Sequence, residues 1–119
     1  MHFITKGSCS MEINSRSYYI YPNDYCIIGP GIYHEQKVNS LNPIIKHSFR
    51  IGYTFLHMPE GFFPNEEDNM IIDIFKGIDF FVASDSYNNF ELSYEMWNEL
   101  KSKQIGYYSK MQTLFLILL

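Results

Sequence analysis

The sequence predicts an α+β fold that is mainly β, with short strands over residues 1–58 and helices over residues 59–119, all in one structural domain. Three observations carry this reading. Turn chemistry interrupts the first half at short intervals, as in barrels and sandwiches of short strands. The stretch "IIKHSFRIGYTF", Ile44 to Phe55, alternates with period two. Beyond Pro59 the apolar residues recur at helical spacing instead.

Taken in order, the turns fall at Lys6-Gly7-Ser8, Asn14 to Ser17, Pro22-Asn23-Asp24, Gly29-Pro30-Gly31 and Asn39 to Pro43. "MEINSRSYYI", Met11 to Ile20, is a hairpin with Asn14-Ser15 as its turn. In the long alternating stretch Ile45, His47, Phe49, Ile51, Tyr53 and Phe55 share one face, taken as the inward one. Lys46, Ser48, Arg50, Gly52 and Thr54 share the other. A first helix starts at Asn65 as N-cap, with Glu66, Glu67 and Asp68 in its first turn and Ile71, Ile74, Phe75 and Ile78 as its apolar face. Lys76-Gly77 is its stop. A second helix opens on a capping box of Asn88 and Glu91, and its stripe of Phe90, Tyr94 and Trp97 is expected to dock on the strands. Gly106 breaks that pattern, and "YYSKMQTLFLILL" makes a third helix.

Composition narrows the function. At 119 residues, 46% hydrophobic and 18% charged, the chain can bury one core and is not disordered. A formal net charge of −4 leaves no electrostatic footprint for a phosphate backbone, so these residues are not expected to bind DNA. "MHFITKGS" holds no basic-then-apolar leader and no apolar run nears 18 residues, which predicts a cytoplasmic chain without membrane contact. Cys9 and Cys26 lack CxxC spacing and read as buried thiols. No serine sits in a nucleophile elbow and neither cysteine has a cue for thiolate activation, so no catalytic residue and no cofactor is assigned.

"YPNDYCIIGPGIYH" resembles the second motif of the cupin barrel: a Pro-Gly-Asp turn, an apolar strand, then a Pro-x-Gly-x-x-His turn. Asn23 replaces the first glycine and Gly29 the second proline. Together with "HFITKGSCSMEINSRSYYI" before it and the helices of "FELSYEMWNELKSKQIGYYSKMQTLFLILL" after it, the chain is similar to the N-terminal effector domain of AraC-type transcriptional regulators. That resemblance implies a cupin-like double-stranded β-barrel, or jelly roll, followed by C-terminal α-helices. It also implies a small polar effector, a sugar among the candidates, held inside the barrel. The family's DNA-reading helix-turn-helix units have no counterpart in these residues. In the family's sugar-sensing member a strand histidine, an aromatic and a basic residue line the pocket, and they match His47, Phe49 and Lys6.

The residues leave alternatives at each site. His34 follows a turn, where it either caps a carbonyl or contacts a ligand, and period two puts Gln36 on its face. His47 on an apolar face is either a buried histidine bonded to a hydroxyl or a polar group in a cavity. Lys6 is a turn lysine or a pocket lysine. The cupin metal motif is incomplete, because His34 fits its last ligand while only His2 and Glu12 occupy the region of the others, so no metal is assigned. A standalone metal-dependent cupin enzyme is the competing reading. On the last helix Tyr108, Met111, Phe115 and Leu118 recur three or four apart, either packing within the chain or forming a homodimer face.

Overall fold

The structure is a computed structural model that describes residues 1–52, 54 and 65–118, without the side chains of 65–69. Tyr53 and Phe55 of the alternating stretch, the 58/59 boundary and the charged side chains expected in the first turn of the first helix lie outside the described residues. The described chain is a mixed α+β fold of seven strands in two antiparallel sheets and three helices. It divides into two compact units, Met1–Ser84 and Asp85–Leu119.

The first unit begins with β1 (His2–Lys6), β2 (Cys9–Ile13), β3 (Arg16–Ile20) and β4 (Asp24–Ile28). Then come β5 (His34–Val38), β6 (Ile45–Ser48), helix α1 (Asn65–Gly77) and β7 (Phe80–Ser84). One sheet runs β6-β1-β4-β7 and the other β3-β2-β5. The β2–β3 hairpin turns through Asn14 and Ser15, at φ 49° and 62°, because Ile13 pairs with Arg16 and two residues must close the loop. Both central residues of such a tight turn need positive φ, which Asn tolerates. Asn23 stands at φ 71°, so it does occupy a glycine-like position. At the end of β1, Gly7 has φ 71°, and a Cβ there would meet the Pro43 carbonyl oxygen at 2.3 Å.

The core lies between the sheets. Ile4 and Cys26 of the first sheet and Cys9, Met11, Ile13 and Ile20 of the second form one buried cluster. Period two then fixes every other side chain. His2 pairs with Ser48, and Ile4 with Lys46, so His2, Lys46 and Ser48 stand on the core side with Ile4. Phe3 pairs with His47 and with Tyr25, and these three share the opposite face. There Phe3 is 1% exposed, its ring stacked on Tyr25 at 5.6 Å and on Phe49 at 6.0 Å, and Tyr25 meets Phe81 at 6.0 Å.

This corrects the phase of the alternating stretch. Among the described residues it is a strand over Ile45–Ser48 alone, and the half taken as outward supplies the core side. Ile45 is exposed and His47 half-buried on the far face. The two sheets form no closed barrel among the described residues. Along one side their edge strands β5 and β6 are joined by a side-chain bond, Lys46 Nζ donating to Gln36 Oε1 at 2.5 Å, where no ladder connects them.

Two elements depart from expectation. β7 falls in the part read as helical, where it pairs with β4 from Asp24↔Ser84 to Ile28↔Phe80, so the sheet unit runs to Ser84. Its sequence, "FFVAS", has no alternation to mark it as a strand. α1 spans the expected residues, but Ile71 and Ile74 are exposed.

The second unit is α2 (Asn89–Ser102) packed with α3 (Tyr107–Leu118). Asn88 sits at φ 57° and its side chain makes no cap bond. The buried Asp85 carboxylate accepts from the Asn89 and Phe90 amides instead, each at 2.8 Å, and so satisfies two donors that the helix leaves unpaired. Replacing Asp85 by alanine is therefore expected to cost about 2 kcal/mol, and Glu91→Ala less than about 1 kcal/mol, in urea unfolding. A larger loss at Glu91 would restore the capping box. Lys110 bridges the helices, its Nζ 2.7 Å from Glu99 and 2.8 Å from Glu95. On α3 Leu114 is buried, Met111, Phe115 and Leu118 are half-buried, and Tyr108 is 63% exposed. Tyr94 and Trp97 on α2 are exposed as well, with Lys101 Nζ 5.2 Å above the indole. No described helix is long and apolar enough to cross a membrane.

Candidate functional site

A cavity of about 940 Å³ opens at the end of the first unit where β1, β4 and β6 meet the turn before β5. Its walls are mostly apolar: Ile27, Ile28, Ile32, Phe49 and Ile51, with Phe75 from α1 and Ile78 beyond it. The polar lining is His2, His34, Ser48 and Arg50. An apolar chamber with a few convergent polar groups, within the usual size range of roughly 300–1,000 Å³, has the make-up of a small-molecule site.

The local sequence explains this placement. His2 and Ser48 face each other across the β1–β6 ladder, and His2 Nδ1 is hydrogen-bonded to Ser48 Oγ at 2.6 Å. Phe49 continues the pairing past the strand end, its amide donating to the Met1 carbonyl at 3.1 Å. Gly29, Pro30 and Gly31 carry the chain from β4 around the cavity, with Gly31 at φ 76°. His34 opens β5, and its Nδ1 donates to the Ile32 carbonyl at 3.0 Å, which leaves Nε2 as the pole open to a ligand.

Burial, Lys46, the N-terminal ammonium and His34 push the His2 imidazole down from its ordinary 6.5 to about 4, so it is neutral near pH 7. The stability consequence follows from linkage. Above 6.5 the ring is neutral folded and unfolded; between 6.5 and about 4 only the unfolded chain takes up the proton. Stability should fall as pH drops through that window, by roughly 2 kcal/mol from this one group once the full shift is discounted for solvent screening of the half-exposed ring. His2→Gln should flatten the difference between urea midpoints at neutral and mildly acid pH, and an unchanged difference would remove His2 as the cause.

The thiols are structural. Cys26 is fully buried, and desolvation raises it to about 11. Burial raises Cys9 too, and both are free. Neither is a thiolate near neutral pH. Among the described residues no group of three His, Cys, Asp or Glu side chains is placed to hold a metal ion.

Of the residues singled out in the sequence, His34 and Phe49 line the cavity. Gln36 shares the core-side face with His34 but is bound by Lys46, and it is not part of the lining. Lys6 is exposed at the end of β1, opposite Ile45 and beside a β-bulge, outside the lining. His47 is turned to the far face with Phe3. Ser48 and Arg50 were not singled out, and His2 was weighed only as a ligand of the incomplete metal motif. Their signal was the phase of the strand pair: with Ile4 inward, His2 is inward too. No family model, no curated protein and no solved structure matches the chain.

Proposed function

We propose that this chain is the effector-binding and dimerisation part of an AraC-type transcriptional regulator of the cytoplasm, with DNA recognition belonging to residues outside it. The observation that carries the reading is the cavity, in which His2, His34, Ser48 and Arg50 converge within apolar walls. The turn residues of the cupin-like motif support it, since Asn23 and Gly31 adopt the positive φ such turns demand. The effector sits at that end of a cupin-like arrangement of the two sheets. Binding acts as a switch only if the ligand prefers one of two states of the regulator, since equal affinity for both shifts nothing. Dimerisation uses the third helix, where Tyr108 is exposed beside the half-buried Met111, Phe115 and Leu118.

Sedimentation from micromolar to near-millimolar protein tests the assembly. A reversible dimer that Tyr108→Glu shifts to monomer is expected, because a buried charge at a self-complementary contact is repeated on both copies. A monomer throughout removes dimerisation from the reading. Metal analysis of protein purified without chelator tests the remainder: stoichiometric iron, manganese or zinc that His34→Ala abolishes would mean a metal enzyme instead of a sensor.

A further inference from the structure

Among the described residues the charge of the cavity is opposite to that of the chain. The sequence has 13 Asp and Glu against 9 Lys and Arg, yet no carboxylate lines the cavity among the described residues, whereas Arg50 does. No ion pair ties Arg50 to a described carboxylate. Four residues before it, on the core-side face of β6, Lys46 is bonded to the Gln36 amide oxygen, and no ion pair ties it to a described carboxylate. His34 presents Nε2 with its other nitrogen engaged, and His2 is bonded to Ser48. The lowered proton affinity of His2 reports the same cationic surroundings, with burial as its first cause and Lys46 as its second.

We propose that the cavity receives a small organic carboxylate, its anionic end on Arg50 between the rings of His34 and His2 and its apolar body on Ile28, Ile32 and Ile78. A guanidinium grips a carboxylate through two parallel charge-assisted bonds, which a neutral hydroxyl or amide cannot reproduce. The apolar wall makes the body of the ligand hydrocarbon or aromatic, so a free sugar fits this lining poorly. The proposal rests on the cavity being the effector site.

The test is calorimetry on the whole chain with 4-phenylbutyrate and octanoate, their amides 4-phenylbutyramide and octanamide, and a neutral sugar. An acid should bind about ten-fold or more tightly than its amide. Arg50→Gln should bring the acid to the level of the amide, and Arg50→Lys should keep part of the difference. Arg50 is exposed, so both variants should fold and melt as the parent does. Equal binding of acid and amide, or an Arg50→Gln variant that binds the acid unchanged, overturns the carboxylate while leaving the cavity as a ligand site. Binding of the sugar alone does the same. If neither acid, amide nor sugar binds, the carboxylate and the ligand site both fall.

Discussion

Gly29→Ala should unfold the sheet unit or bring it close to unfolding, at a cost of about 4 kcal/mol or more. A Cβ on Gly29 would stand 2.0 Å from the Ile78 carbonyl oxygen and 3.2 Å from that of Asp79. Both atoms are backbone, and the Gly29 amide donates to the Asp79 carbonyl at 2.8 Å, so the two segments cannot separate without losing that bond. Relief would require the β4–β7 pairing next to it to slip. The same movement would displace Ile78 from the cavity wall. Far-ultraviolet circular dichroism and a urea titration measure this. Gly31→Ala is the comparison, because a Cβ there meets nothing within 4 Å and only the left-handed φ of 76° opposes it, at about 1 kcal/mol. Equal losses at the two positions would mean that the close approach at Gly29 is not what its glycine serves.

Phe3→Ala is expected to cost about 3–5 kcal/mol, the range for emptying a buried aromatic site. Phe3 is among the most deeply buried side chains, yet it is outside the cluster between the sheets. It packs on the far face against Tyr25 and Phe49, with His47 opposite it across β1 and β6. Because Phe49 lines the cavity and stacks on Phe3, Phe3→Ala should also weaken ligand binding, while Phe3→Leu should keep most of both. Urea unfolding gives the stability term. A loss below about 1 kcal/mol would contradict the packing on that face.

The sequence made the outline legible wherever chemistry is local. The hairpin over Met11–Ile20, the Lys6-Gly7 turn and the positive φ at Asn23 follow from residue types that tolerate few alternatives. The two later helices follow from spacing, and α1 begins and ends where its signals put it. What failed was non-local. Period two separates Lys46 and Ser48 from His47 and Phe49, but it cannot say which pair faces the other sheet. The face of His47 and Phe49 reads as inward because Ile45, Phe49 and Ile51 make it the more hydrophobic one. Both faces of this sheet are covered by apolar or aromatic packing near Phe3, so hydrophobicity could not decide the phase. The decisive information is the register His2↔Ser48, a pairing across more than forty residues. β7 was hidden for a related reason, since its partner β4 lies more than fifty residues earlier.

The candidate site shows the same division. His34 was visible because a turn motif fixes it, and Phe49 because it ends a strand of clear alternation. His2 and Arg50 carry no motif and gain meaning only once β1 and β6 are side by side. The Asp85 cap was overshadowed by a better-known pattern three residues later, although an acidic residue just ahead of a helix is a capping signal in its own right.

The most direct test of a ligand seated between these walls is methyl NMR of isoleucine-labelled protein during addition of 4-phenylbutyrate. The methyl groups of Ile28, Ile32, Ile51 and Ile78 line the cavity and should shift in a saturable way. Ile20, which pairs with Cys9 at the end of β2 opposite to the partner of His34, and Ile45, exposed on β6, should hold their positions. Saturable shifts confined to the lining set are the predicted result. Shifts centred on Ile45, or on the exposed Ile71 and Ile74 of α1, with the lining methyls unmoved, would contradict it.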